Sequence, residues 1–185
     1  MFFVVFEGLD GSGKSSLMKM LDQHLRSLSY EPVLTREPGG TEVGDALREI
    51  ILKKQANAPV ARAELLMYEA SRAQHVELVI KPSLAKKKWV LCDRFSASSV
   101  AFQGGGRSIS IEQVVWLNQF ATDNLIPDLT VLLDLSTCEY VSVVRLHLSI
   151  VVLHENTEET YSADLCQLFI REIFFNGTNF IIFML

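Results

Sequence analysis

Gly8, Gly13, Lys14 and Ser15 stand in the spacing GxxxxGK[ST] within the run Gly8-Leu9-Asp10-Gly11-Ser12-Gly13-Lys14-Ser15. Residues of these types at these intervals suit a chain of phosphates. Glycines let the backbone approach the phosphate oxygens and take φ values that a Cβ resists. Successive backbone N–H groups can then wrap the anion, with the positive end of a helix behind it. Lys14 would reach the β- and γ-phosphates, and the Ser15 hydroxyl would ligate Mg²⁺. Such a loop must sit between a strand and a helix. The apolar run Phe2-Phe3-Val4-Val5-Phe6 precedes it, and the helix-forming Ser16-Leu17-Met18-Lys19-Met20-Leu21 follows it. A nucleoside triphosphate is the ligand this context calls for.

The elements that position the loop read as alternating strands and helices. Strands are predicted over residues 2–6, 32–35, 89–92 and 129–134, and a helix over about 13–28. A further helix follows the loop Arg36-Glu37-Pro38-Gly39-Gly40-Thr41, with Thr41 as its cap. A long helix is predicted from near Pro59 to just before Pro82. Gln103-Gly104-Gly105-Gly106-Arg107 reads as a loop before a helix that carries Val114, Val115, Leu117 and Phe120. This order implies an α/β fold with a doubly wound parallel sheet in a single domain. Ligands of such sheets lie at the strand carboxyl ends, where the glycine loop, Arg36, Asp93 and Arg94 all fall. Beyond Ser136 the spacing is less informative. Leu165, Leu168, Phe169, Ile173 and Phe174 suggest an amphipathic helix, and residues 179–183 a last strand.

The chain has 185 residues, is 49% hydrophobic and carries a net charge of −5. That balance gives no global electrostatic case for nucleic acid or a membrane surface. The apolar start is too short for a signal peptide, and no apolar run reaches the length of a membrane span. Cys92, Cys138 and Cys166 have neither paired nor zinc-binding spacing and read as reduced thiols of a cytoplasmic protein.

Four segments together resemble the thymidylate kinase family in its bacterial form. They are residues 6–15, then Thr35-Arg36-Glu37-Pro38-Gly39-Gly40-Thr41, then the stretch from Leu65 to His75, then Asp93-Arg94-Phe95 through Phe102-Gln103-Gly104. The likeness covers about residues 1–136. It implies the P-loop nucleoside monophosphate kinase architecture and transfer of the ATP γ-phosphoryl to dTMP with Mg²⁺, a step toward dTTP. A homodimer is among the assemblies it implies. It gives Asp10 a contact to the sugar 3′-hydroxyl, against a plain role in capping the loop. Arg48 and Arg94 become ligands of the dTMP phosphate, although Arg48 also reads as a solvated charge on a helix face. Tyr68 and Arg72, four apart on one helix face, would stack on the base and bond its carbonyl; spacing alone would leave them a core aromatic beside a surface charge. Ser98, Ser99 and Gln103 would line the thymine pocket. Phe102 would stand near the sugar 2′ position, where the family often has tyrosine. Asp93 would join Ser15 near Mg²⁺. Arg36 would position phosphate or brace its loop, the bracing role being preferred, and His24 and His75 receive no role. Because Arg72 can only donate, dTMP should be preferred to dCMP.

One departure bears on catalysis. With Gly11 and no arginine in the glycine loop, the chain resembles relatives that draw transition-state charge from an arginine-rich lid after the fourth strand. That region offers only Arg145 and Arg171 among Glu155, Glu158, Glu159 and Asp164. Three explanations stay open: a divergent but working ending, a subfamily with another charge source, or a reading frame lost near Thr137. A nucleotide-binding homologue with impaired catalysis, or another P-loop nucleotide kinase, are the alternative functions.

Overall fold

The central strand is apolar on both of its faces because it is covered on both. In the computed structural model, which describes residues 1–54, 57–135, 148–153 and 180–184, β1 (Phe3–Gly8) lies between β3 (Val90–Asp93) and β4 (Leu129–Leu135). Alternate residues point to opposite faces of a strand. Val4 and Phe6 join Leu91, Leu129 and Val131 beneath Leu17, Leu21 and Leu25 of α1 (Lys14–Ser27). Phe3 and Val5 join Val90, Cys92 and Phe95 against Val76 and Ile80 on the other face. A strand buried on both sides needs a continuous apolar run, which is what residues 2–6 present.

The sheet order is β2-β3-β1-β4-β5-β6, with β2 at Val33–Arg36, β5 at Leu148–Leu153 and β6 at Phe180–Met184. β2, β3, β1 and β4 run parallel, as the alternation of strands and helices predicts. β5 departs from the all-parallel expectation: it pairs antiparallel to β4, and β6 runs parallel to β5. An apolar run such as Leu148–Leu153 carries no mark of strand direction, so pattern could not decide it.

Thr41 caps α2 (Glu42–Leu52) as expected, its hydroxyl accepting the Gly44 N–H at 3.0 Å. The long helix runs further than predicted. α3 (Ala61–His75) passes through a π-helical turn, Val76–Ile80, into α4 (Lys81–Ala85) and so continues beyond Pro82. The Lys81 N–H reaches back five residues to the Val76 carbonyl. Such a wide turn resets the backbone ladder just before a residue that has no N–H to offer. A second π turn corrects the loop assigned to residues 103–107. After the short α5 (Ser96–Ser99), residues Val100–Gly105 are π-helical and carry Gln103, and α6 (Ile111–Thr122) follows. No helix among the described residues is long and apolar enough to cross a membrane. Arg145, Arg171, Cys138, Cys166, Thr137 and the predicted helix around Leu165–Phe174 lie outside the described residues.

Candidate active site

The glycine loop leaves β1 where only glycine fits. Gly8 has φ 140°, and a Cβ there would lie 2.5 Å from the Leu133 carbonyl oxygen of β4. Gly11 and Gly13 also have positive φ, at 83° and 96°, and Gly13 caps α1. Lys14, the first residue of α1, is buried and turns back along the loop, its Nζ donating to the carbonyls of Gly8 and Leu9 at 2.9 Å each. Burial and the Arg94 charge pull its ammonium pKa down, with Asp93, Asp10 and Glu7 opposing. Ser12 Oγ is buried without a partner in the same loop. Leu9, Asp10, Gly11 and Ser15 are exposed.

At the end of β3 stand Asp93 and Arg94. Ser15 and Asp93 line one cavity of about 440 Å³, and Asp93 Oδ1 is buried without a hydrogen-bond partner. A hydroxyl and an unsatisfied carboxylate oxygen are hard donors of the kind Mg²⁺ takes alongside phosphate and water, so the pair fits that ion. Arg94 has φ 71°, an uncommon backbone state for a residue with a side chain and one that clusters at functional sites. Its guanidinium donates to Asp10 Oδ1 at 2.7 Å and Ser98 Oγ at 3.2 Å, and lies 5.3 Å from the centre of the Phe102 ring. The bond from Arg94 holds the Asp10 carboxyl below its usual range. Ser98 in turn donates to Glu7 Oε2 at 2.7 Å, and Glu7 Oε1 accepts the Phe95 N–H at 3.0 Å. Burial pushes the Glu7 carboxyl up, against those bonds.

A second group of side chains is wholly interior. Arg72 on α3 is 1% exposed. Its Nε donates to Glu37 Oε2 at 2.7 Å; Nη1 donates to Glu69 Oε1 at 2.7 Å, to Ser99 Oγ at 3.0 Å and to Asn118 Oδ1; Nη2 donates to the Phe95 carbonyl at 3.1 Å. Glu37 Oε1 also meets His75 Nδ1 at 2.9 Å, and His75 Nε2 meets Thr35 Oγ1 at 2.6 Å. Glu37 thus ties the Pro-Gly-Gly loop to α3. Arg36 braces the same loop as expected, donating to Asp45 Oδ1 at 3.3 Å, an oxygen that the Gly40 N–H also approaches. Arg48 on α2 donates to the Pro38 carbonyl at 2.8 Å.

These groups converge on one cavity of about 320 Å³ at the carboxyl ends of the parallel strands. Asp10, Lys14, Arg48, Tyr68, Arg72, Asp93, Arg94, Ser98, Ser99, Phe102 and Gln103 all line it, so the structure brings the candidate substrate residues together. Tyr68 is half-buried, and burial raises its phenol pKa. Ser15 lies on the neighbouring cavity, not on this one. Glu37, Pro38, Leu52 and Phe95 complete the walls without having been assigned there from sequence, and Arg36, weighed between phosphate and its loop, lines the cavity as well. The signals for the missed supports were faint: Glu7 is a charge in an apolar strand, and Glu69, Arg72 and His75 recur every three residues on α3. A concave site with several cations around a few placed polar groups suits a phosphate-bearing ligand with a ring.

The family model described as thymidylate kinase matches residues 6–160, extending past Ser136. Among curated proteins, a thymidylate kinase of Bdellovibrio bacteriovorus is 62% identical over 139 residues, 75% of this chain and 65% of that one. A thymidylate kinase of Geotalea daltonii is 50% identical over 132 residues, 71% of this chain and 62% of that one. The chain thus spans less than two thirds of the length of either relative. A crystal structure of thymidylate kinase from Ehrlichia chaffeensis superposes with a TM-score of 0.67 at 39% identity, covering 75% of this chain and 78% of that one. A glycine loop opening onto a cationic cavity at the strand ends and matches of this extent agree, and the chain belongs to the thymidylate kinase family.

Proposed function

We propose that the protein transfers the γ-phosphoryl of ATP to the phosphate of dTMP, giving dTDP and ADP. The observation that carries this reading is the single cavity that runs from Lys14 to Tyr68, Arg72 and Gln103. The loop amides and Lys14 would hold the donor phosphates. Arg48 and Arg94 would fix the acceptor phosphate, and Asp10 the sugar 3′-hydroxyl. Tyr68, Ser98, Ser99, Phe102 and Gln103 would enclose the sugar and base, with Arg72 bonding a base carbonyl. Mg²⁺, held by Ser15 and Asp93, would supply charge to the phosphate oxygens when bound. Transfer of this kind rests on positioning and charge neutralisation and needs no covalent enzyme intermediate. A cytoplasmic location goes with this reading.

The test pairs a coupled ADP-release assay on ATP plus dTMP with calorimetric titration of each nucleotide. The expected result is dTMP-dependent ADP release and saturable binding of both. Binding of both without turnover would place the chain with catalytically impaired homologues. Failure to bind dTMP would overturn the reading.

We also propose a homodimer through the α3/α6 face. Leu66, Trp116 and Phe120 are 56%, 62% and 76% exposed, and the Trp116 and Phe120 rings stack with centroids 6.0 Å apart. Leu66 and Trp116 line an apolar cavity of about 270 Å³. Large apolar side chains grouped on one exposed face mark an interface, and one helix face can pair with its own copy about a two-fold axis. Light scattering at micromolar concentration should give twice the chain mass for the wild type and the chain mass for Phe120→Asp. A monomeric wild type would sink the proposal.

A further inference from the structure

Glu64, Tyr68 and Arg72 follow one another at four-residue intervals on α3 and share a face. Tyr68 and Arg72 line the nucleotide cavity, whereas Glu64 reaches the second π turn behind it. Glu64 Oε1 accepts Gln103 Nε2 at 3.0 Å, and Arg107 binds the same carboxylate through Nε at 3.3 Å and Nη2 at 2.8 Å. Burial pushes the Glu64 carboxyl up, but the bonds from Arg107 and Gln103 outweigh it and hold it below its ordinary range. An ionised carboxylate can only accept hydrogen bonds. It therefore selects the NH₂ end of the Gln103 amide and turns the carbonyl oxygen elsewhere. Gln103 is buried and lines the cavity, and among the described residues its side chain bonds Glu64, through Nε2 and not through its oxygen.

We propose that Glu64 is a positioning residue for base selection: by holding Gln103 Nε2 it leaves Gln103 Oε1 as a hydrogen-bond acceptor for N3–H of a pyrimidine-2,4-dione. Arg72 supplies the matching donor. Its Nη2 has two hydrogens, of which the Phe95 carbonyl takes one. An acceptor and a donor side by side match N3–H and the C4 carbonyl of thymine or uracil. Cytosine presents a lone pair at N3 and an amino group at C4, the wrong group at both positions. The inference rests on the dTMP reading above and adds to it a residue outside the cavity wall that decides which edge of a base is accepted.

The experiment measures binding of dTMP, dUMP and dCMP to the full chain by calorimetry. Gln at position 64 can donate as well as accept, so Glu64→Gln releases the Gln103 amide to turn either way. The preference for dTMP over dCMP should fall about tenfold, the worth of one hydrogen bond that is no longer fixed. The preference for dTMP over dUMP, which depends on the methyl group alone, should not move. Gln103→Leu should lower the dCMP discrimination by itself, and adding Glu64→Gln to it should lower it no further. Arg107→Gln keeps the Glu64–Gln103 bond and should retain the wild-type preference. An unchanged dTMP-to-dCMP preference in Glu64→Gln overturns the proposal, as does an equal loss of discrimination against dUMP, or a further fall in the Gln103→Leu background. A wild-type chain that binds no dTMP overturns the functional reading, and the role of Glu64 with it.

Discussion

Lys14→Ala is expected to lower the rate of phosphoryl transfer by roughly 10²- to 10³-fold, the scale on which loss of one preorganised donor acts on a developing charge. The loss in ATP affinity should be smaller, because the loop amides and the N-terminus of α1 remain. The reason lies in the position of the ammonium. Lys14 Nζ rests on the carbonyls of Gly8 and Leu9 at 2.9 Å, within the loop that is to receive the phosphates. Its burial and the neighbouring Arg94 lower its pKa, and Asp93, Asp10 and Glu7 are the charges that oppose that fall. A cation kept in place before the ligand arrives needs little reorganisation when charge builds on the β/γ oxygens. Alanine removes that cation and leaves two carbonyls that solvent or ligand can reach. Single-turnover measurements at saturating ATP report the rate, and titration with ATP reports the affinity on the same preparation. A variant with undiminished turnover would remove Lys14, and the glycine loop with it, from the reaction.

What could be read from sequence followed from how local the cause was. The glycine loop was legible because strand, loop and helix are contiguous and each glycine answers a backbone need, as Gly8 does against the Leu133 carbonyl. The cap at Thr41 was legible for the same reason. The helix through Pro82 and the π turn at Val100–Gly105 were not, since a five-residue turn leaves no periodic signature and its glycines mimic a loop. The direction of β5 was hidden because apolar runs pair either way. In the site, the residues that the sequence offers for the dTMP side share one cavity, with Ser15 on the next. Their supports were missed. Glu37 and Asn118 act on Arg72, and Glu37 on His75, across separations that no spacing rule connects, as between Arg72 and Asn118, while Glu69 stands one helical turn from Arg72. Arg72 itself shows the limit: spacing gave it a solvated face, the family resemblance a base carbonyl, and the structure a buried centre with five acceptors.

That burial makes Arg72→Met the most destabilising substitution we expect near the site. Methionine fills much of the volume but offers no donor. The carboxylates of Glu37 and Glu69, 3% and 6% exposed, would lose their buried countercharge, and Ser99, Asn118 and the Phe95 carbonyl their donor. Removing one partner of a buried ion pair costs about 3–5 kcal/mol, a large part of the 5–15 kcal/mol that holds a typical domain folded. For a chain of this length the melting temperature should drop on the order of 10 °C. Arg72→Lys should recover only part of this, since an ammonium has three donors and no planar fork. The loss should also depend on pH, in a direction that Glu69 sets. Burial already raises the Glu69 carboxyl pKa in the folded protein, and Arg72 is the first influence against that rise. Without Arg72 the folded value climbs further above the unfolded one. A raised folded value means that the folded state holds its proton more tightly, so the deficit is full at neutral pH and shrinks as pH falls through that raised value. Melting curves of wild type and variant at pH 7.5 and pH 5 should therefore lie closer together at the lower pH. Equal melting temperatures at pH 7.5 would show that the Glu37 and Glu69 carboxylates do not depend on Arg72. A gap that widens toward pH 5 would show that Glu69 is not the group left uncompensated.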